Sequence, residues 1–390
     1  MQFIVKLTNC CNLRCKYCSE TAADDGMFLS PAVLYKLIDE LPDVLSKLKE
    51  KKIDFLWHGG EPMLYNKNDL SKIMDYALET LAPQYEVNFI MQSNITLLDE
   101  EWLNIIKKYK IGVGVSLDGY RELHDANRVD ADGKGTFATV IKNLHILQQN
   151  DFHPGMLMVL NTEDKIDVDL LFDFIKKEKL HPKIHPVIPV GRAMGMNNVL
   201  EIETNYLNIL ERLWERNMDE ECPIDINPLS EIIMAIIGQH ELSECSYSGT
   251  CGIGMICLYY DGNIGFCGRH DEKFSLRYGN LNEHTLWELY TSANAEKIRQ
   301  RQEYLQSNDC KDCAEWKYCR GGCAFEALNA YNTTEHKFPG CRWRKKLMQY
   351  ARTKGLNLFK KYLVRERRVY QQILSEEKTL LEELKNSAIY

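Results

Sequence analysis

Cys11, Cys15 and Cys18 form a CxxxCxxC triplet just after the apolar run Phe3-Ile4-Val5-Lys6-Leu7. Three thiolates so close together can hold three corners of a cubane iron–sulfur cluster, and the loop supplies no later fourth cysteine. A 4Fe–4S cluster with three protein ligands keeps one iron open, which makes it a place for chemistry rather than plain electron storage. The competing use is a structural zinc site, which normally takes four closed ligands. Cys10 is adjacent and would reach such an ion only with awkward geometry. A second cysteine group runs through Cys310, Cys313, Cys319, Cys323 and Cys341, with Cys245, Cys251 and Cys267 ahead of it. It too reads as metal ligation, as clusters or as a pair of zinc knuckles.

The elements that must position these residues alternate. Strand candidates are 3–8, 53–58, 86–91, 111–117, 155–160 and 184–190, each short, apolar and bounded by Gly, Asn, Asp or Pro. Helical patterns fall between them. One starts at Ser30-Pro31 and carries the stripe Val33, Leu34, Leu37, Ile38 and Leu41; others cover roughly 67–81, 99–109, 136–149 and 166–178. Helix-linked strands require a parallel sheet, and six β/α units make an incomplete barrel or an open wound sheet. Ligands bind at the C-terminal strand ends of such folds. The triplet follows strand one, His58-Gly59-Gly60-Glu61-Pro62 strand two, and Gln92-Ser93-Asn94 strand three, while Ser116-Leu117-Asp118-Gly119 closes strand four. Four loops thus converge on one mouth. A bridging helix is expected at 203–218, then a loop-rich cysteine region at 245–341. From Arg342 a charged helical tail is expected, packing its Leu, Phe, Tyr and Val residues with its charges in water.

The chain has 390 residues, 45% of them apolar, and a formal charge of −8, so bulk attraction to nucleic acid is not expected. It shows neither a membrane-length apolar run nor the layout of a signal peptide, which points to a soluble, cytoplasmic protein. Fourteen cysteines in a reducing compartment call for metal ligation rather than disulfides.

The triplet and its loops resemble the radical S-adenosylmethionine (SAM) superfamily. The resemblance implies that Cys11, Cys15 and Cys18 hold a 4Fe–4S cluster whose open iron chelates SAM. One electron then cleaves SAM to methionine and a 5′-deoxyadenosyl radical that abstracts a substrate hydrogen. It places Tyr17 near the adenine and matches Gly59, Gly60, Glu61 and Pro62 to the GGEP motif, whose backbone and carboxylate meet the methionine amino group. Ser116 and Arg128, in the run ending His124-Asp125-Ala126-Asn127-Arg128, match contacts to the ribose and the carboxylate. Gly191-Arg192-Ala193 is a further candidate lining. The later cysteines resemble the SPASM extension with two auxiliary 4Fe–4S clusters. That implies Cys245, Cys251, Cys267 and Cys323 for the first, and Cys310, Cys313, Cys319 and Cys341 for the second. Cys10, Cys222 and Cys257 remain as thiols, although Cys257 competes as a ligand because it too precedes Cys267. The implied organisation is a radical SAM partial (β/α)6 TIM-type barrel at 1–200, a bridging helical region at 201–244, the SPASM domain at 245–341 and the helical tail at 342–390.

Within this superfamily the layout is similar to anaerobic sulfatase maturases, which oxidise Cys or Ser to formylglycine, and to maturases of ribosomally made peptides. The sulfatase maturases carry an aspartate base directly after the cysteine matched by Cys267; here Gly268-Arg269 follow. The leading expectation is therefore a peptide maturase that abstracts hydrogen and then oxidises by one electron, with formylglycine formation second. A non-catalytic iron–sulfur electron carrier or a zinc-binding protein is the alternative from another class. If Cys245 ligates, the first auxiliary cluster has no vacancy for a substrate thiolate, which favours a carbon–carbon or carbon–oxygen link or a simple oxidation over a thioether. Base candidates are Asp118, Asp271 and His58. Expected partners are a peptide or protein substrate, a reductant such as flavodoxin or ferredoxin, and a separate leader-binding protein, since the first barrel strand begins almost at once.

Overall fold

The computed structural model describes residues 1–20, 26–161, 164–196, 202–242, 244–269 and 276–387. Its centre is one sheet in the order β6-β5-β4-β3-β2-β1-β7-β8-β9. The strands are β1 (Gln2–Lys6), β2 (Lys52–His58), β3 (Glu86–Ser93), β4 (Gly112–Ser116), β5 (Gly155–Leu160), β6 (Pro182–Pro186), β7 (Met255–Leu258), β8 (Asn263–Gly265) and β9 (Gly279–Asn280). The first six pair in parallel, each beside its sequence neighbour, as barrel strands do. Helices α1 (Pro31–Leu48), α2 (Lys67–Leu81), α3 (Glu100–Tyr109), α4 (Arg121–Asn127), α5 (Phe137–Gln149) and α6 (Val168–Lys177) fill the crossovers.

Alternation assigns the two faces of the sheet. Phe3, Val5, Phe55, Trp57, Phe89, Met91, Val113 and Val115 join the main core with the helices. The opposite face carries Ile4, which packs with Cys257 and Tyr259 instead, and Lys6 on the same side of β1. α1 starts with Pro31 at its first turn and buries Val33, Leu34, Leu37, Ile38 and Leu41. α3 is capped by Asp99, whose side chain accepts from the Trp102 amide.

Two expectations need correction. The last barrel strand lies at Pro182–Pro186, not 184–190: beyond Leu160 its partner β5 has ended, so the chain turns away after Val187. The run before Arg128, to which the sequence assigned no element, is the helix α4. The cysteine-rich region is less loop-like than expected. It contributes β7, parallel to β1, and the helices Ala293–Ser307 and Ala324–Tyr331. Its first strand thus extends the barrel sheet directly. The bridging helix spans Leu207–Asp219, joined by a second at Leu229–Gly238. The last helix starts at Cys341 and buries Leu347, Met348, Ala351, Leu358 and Tyr362. Trp214 meets Tyr350 edge-on at 4.9 Å, and the Tyr362 hydroxyl lies 2.6 Å from Ser230 Oγ.

Candidate functional site: a thiol triplet and two four-thiol sets

The triplet loop is pinned by backbone. Arg14 N donates to Val129 O at 2.7 Å and Lys16 N to Asn127 O at 2.9 Å, so the segment that carries Arg128 also clamps the cysteines. Cys11, Cys15 and Cys18 are free thiols that feel one another's charge. Burial pushes Cys11 up to about 12 and Cys15 up to about 11, and raises Cys18 as well. Loading a metal here therefore displaces protons.

The Gly59–Pro62 loop lies directly on this segment. Gly60 N donates to Thr8 O at 2.7 Å and Glu61 N to Cys10 O at 2.8 Å. A Cβ on Gly60 would stand 1.9 Å from the Cys10 carbonyl oxygen, and one on Gly59, at φ +143°, would stand 2.4 Å from Thr8 O. Two glycines are required because backbone touches backbone. Glu61 is buried and faces the protein. Its carboxylate accepts from Ser93 Oγ at 2.6 Å, Asn94 N at 2.9 Å and Met63 N at 3.0 Å. It locks the loop to the end of β3, which leaves the loop backbone as what a ligand meets.

Asp118 is the hub of the next loop. One oxygen accepts from the Tyr17 hydroxyl and from Arg128 Nε at 2.9 Å; the other accepts from Val159 N at 3.0 Å. Arg128 lies 5.4 Å over the Tyr17 ring and sends Nη1 to within 4.0 Å of Cys15 Sγ. His124 Nδ1 accepts from the Asp118 amide, and Thr136 links His124 back to the Arg128 carbonyl. Tyr17 and Arg128 thus share one carboxylate beside the triplet. Ser116 Oγ accepts from Gln92 Nε2 at 2.9 Å on the same rim, and Arg192 N donates to Cys18 O at 3.0 Å.

These contacts show how two of the base candidates are held. Both Asp118 oxygens are already engaged and paired with a guanidinium, so it positions Tyr17 and Arg128. His58 Nδ1 accepts from the Gly59 amide at 2.8 Å, which puts its proton on Nε2 and leaves no free lone pair. Burial, with Lys6 nearby, lowers His58 to about 3, so the ring stays neutral. Asp271 lies outside the described residues.

Sequence reasoning missed one buried pair. Lys6 Nζ meets Glu20 Oε1 at 2.5 Å, with the two side chains 1% and 10% exposed. Burial alone would lower Lys6, but Glu20, with Cys257 and Cys18, raises it on balance. Lys6 acts on both Cys18 of the triplet and Cys267 of the later group. The pair lies on the Ile4 face of β1, within reach of the charge of both. A lone lysine in the strand Phe3–Leu7, in register with Ile4, is the signal that pointed there.

The later cysteines sort into two sets. Cys310, Cys313, Cys319 and Cys341 line one pocket, walled by Trp316, Phe338 and Arg344. Cys245 feels Cys251 and Cys267, and Cys323 feels Cys267 and Cys251. Gly268 lies against Ile4, where a Cβ would stand 2.9 Å from its side chain, so this set sits at the barrel interior. Among the described residues no three His, Cys, Asp or Glu side chains are grouped to hold a single metal ion. A soft, all-thiol donor set of three or four suits iron–sulfur clusters. Cys257 is wholly buried on β7 against Ile4, Cys10 is buried beside the Gly59–Pro62 loop, and Cys222 is exposed.

Among the described residues no helix is long and apolar enough to cross a membrane. The Radical SAM superfamily model matches residues 5–175, and the SPASM iron–sulfur cluster-binding domain model matches 250–314. The chain is 26% identical over 323 residues to the cysteine-type anaerobic sulfatase-maturating enzyme of Clostridium novyi (strain NT), covering 80% of this chain and 84% of that one. It is 27% identical over 373 residues to the Fe-coproporphyrin III synthase of Methanosarcina barkeri (strain Fusaro), covering 88% of each. Native anSMEcpe, solved with bound AdoMet and a peptide, superposes with a TM-score of 0.77 at 21% identity, covering 92% of this chain and 99% of that one. Streptococcus suis SuiB, solved with its precursor peptide SuiA, gives 0.60 at 16%, covering 87% and 75%. These two share the fold. Radical SAM and SPASM domains imply S-adenosylmethionine and 4Fe–4S clusters as cofactors. The chain thus carries a Radical SAM superfamily domain over residues 5–175 and a SPASM iron–sulfur cluster-binding domain over 250–314.

Proposed function

We propose that the protein oxidatively modifies a peptide or protein, taking a hydrogen atom from a side chain and passing one further electron to auxiliary clusters. The product favoured is a carbon–carbon or carbon–oxygen link, or a simple oxidation, in a ribosomally made peptide. The observation that carries the reading is the buried Lys6–Glu20 pair on the Ile4 face of β1, whose lysine charge is felt at both Cys18 and Cys267. A substrate held beside it is near both the place where the radical forms and the place where the electron leaves. Bound at the triplet, a 4Fe–4S cluster and SAM supply the hydrogen-abstracting radical.

The chain's own residues do the rest. Cys11, Cys15 and Cys18 hold the first cluster; the Gly59–Pro62 backbone, Tyr17, Ser116 and Arg128 bind SAM. Cys245, Cys251, Cys267 and Cys323 hold one auxiliary cluster, and Cys310, Cys313, Cys319 and Cys341 the other. With Cys245 in place the first auxiliary cluster has four thiolates, which argues against a substrate thiol on its iron. A flavodoxin or ferredoxin supplies the electron.

Formylglycine formation is the second reading, favoured by the Clostridium novyi relative. Gly268-Arg269 stand where its aspartate base is expected, which places it second. The test is turnover by the anaerobically reconstituted full chain with SAM and reductant. Precursor peptides from neighbouring genes and Cys- or Ser-containing sulfatase peptides are offered in parallel. 5′-Deoxyadenosine together with a loss of two hydrogens from a precursor peptide is the expected result. An aldehyde on a sulfatase peptide selects the second reading. Turnover of a tetrapyrrole with none of any peptide overturns both.

A further inference from the structure

Arg269 meets the thiols of the first auxiliary set with both its backbone N–H and its guanidinium. Its backbone N–H lies 3.4 Å from Cys267 Sγ, and its Nη1 lies 3.5 Å from Cys323 Sγ. The same Nη1 stands 3.5 Å from Glu326 Oε1, in the first turn of the helix that follows Cys323. The guanidinium carbon lies 5.9 Å from the Phe325 ring centroid. The preceding Gly268 lies against Ile4, where a Cβ would stand 2.9 Å from its side chain. Arg269 and Glu326 also line a pocket with Lys183, His185, Glu244 and Arg344. The guanidinium therefore sits at the boundary between the thiol set and an interior space.

A hydrogen-bond donor on a cluster thiolate stabilises the more negative, reduced state more than the oxidised one and so raises the potential. A full positive charge does so more strongly than a neutral amide. Glu326 opposes it, because it draws the same nitrogen and adds a negative charge. We propose that Arg269 and Glu326 form an opposed pair that sets the reduction potential of the first auxiliary cluster, Arg269 upward and Glu326 downward. This rests on the reading that Cys245, Cys251, Cys267 and Cys323 hold a cluster. The consequence is a centre poised to take the electron the substrate must discard, with a cation in the position where sulfatase maturases are expected to carry a base.

The test is an anaerobic redox titration of the reconstituted full chain followed by electron paramagnetic resonance, with dithionite as electron donor. Reduction adds one electron to the cluster and breaks no bond. In Arg269→Gln, one of the centres is expected to show about a tenfold lower reduced-to-oxidised ratio at fixed potential, equivalent to about 59 mV for a one-electron couple. The other centres stay where they are. Glu326→Gln is expected to move the same centre the opposite way. Arg269→Lys, which keeps charge without the fork, falls between wild type and Arg269→Gln. Unmoved potentials in Arg269→Gln at wild-type iron content overturn the proposal, as does a common shift of every centre. If Cys323→Ala removes no centre, the cluster assignment fails instead, and iron and sulfide per chain separate the two outcomes.

Discussion

Asp118→Asn separates a structural carboxylate from a catalytic one. The wild-type side chain is 0% exposed and accepts three donors: the Tyr17 hydroxyl, Arg128 Nε and Val159 N. Asparagine keeps one oxygen, and if that stays on Val159 its amide nitrogen faces two other donors. Breaking a buried pair from one side costs about 3–5 kcal/mol, because the remaining charge is left uncompensated. The two lost hydrogen bonds fall within that figure, so about 4 kcal/mol is expected. Arg128→Met adds a similar single loss, but the double variant no longer buries a lone charge. A coupling of about 2–3 kcal/mol should therefore appear in the double-mutant cycle. The assay is urea unfolding of the metal-free chain, read as a lower midpoint at unchanged slope, with SAM affinity of the reconstituted protein beside it. Affinity should fall in Asp118→Asn because Tyr17 and Arg128 lose their shared anchor. Wild-type stability, iron content and SAM affinity with abolished substrate turnover would refute the reasoning and restore Asp118 as a base.

Gly60→Ala forces the SAM-side loop off the Cys10 carbonyl and breaks the Glu61 N to Cys10 O bond, costing about 1–3 kcal/mol; a thermal melt and a SAM titration should show both losses at unchanged iron content. Lys6→Met strands Glu20 and costs about 3–5 kcal/mol, whereas Lys6→Met with Glu20→Leu recovers stability without recovering substrate turnover; 5′-deoxyadenosine measured with and without substrate reports the uncoupling. The triplet thiols set a pH dependence. With Cys11 at about 12 and Cys15 at about 11 against an ordinary 9.0, the folded metal-free chain holds protons that the unfolded chain gives up. Their contribution is complete below pH 9 and lost as pH rises through 11 to 12, so urea midpoints should fall between pH 8 and 10.5, and alanine at both positions should flatten that fall.

What was legible in the sequence is what local covalent spacing encodes. A cluster ligand set is written in consecutive loops, and Gly59-Gly60 announces a close backbone approach before the partner strand is known. Long-range pairing is not written that way. β7 is four residues between two cysteines, and only its register on β1, Gln2 opposite Met255, makes it a strand. β6 is bounded by Pro182 and Pro186, which an edge strand tolerates but which blurs the apolar signal. α4 has no side-chain cap at Tyr120, so its start carries no marker. The surroundings of two base candidates were hidden for a similar reason: the Gly59 donor on His58 and the three donors on Asp118 come from the fold, not from spacing.

The buried charges explain how one chain prepares several thiol sets before any metal arrives. Thiols buried to this degree resist ionisation, and each thiolate formed needs a nearby cation. Arg128 stands by Cys15, Lys6 by Cys18 and Arg269 by Cys323. Left alone, each cation would itself be costly to bury. Each is instead held by its own carboxylate, Asp118, Glu20 and Glu326 in turn. The cations are therefore placed at neutral local charge during folding, and cluster assembly meets a field already oriented towards the sulfurs. The carboxylates also limit how strongly each cation can favour a reduced cluster. The Lys6–Glu20 pair is the most shielded from water on its cation side, with the Lys6 side chain 1% exposed.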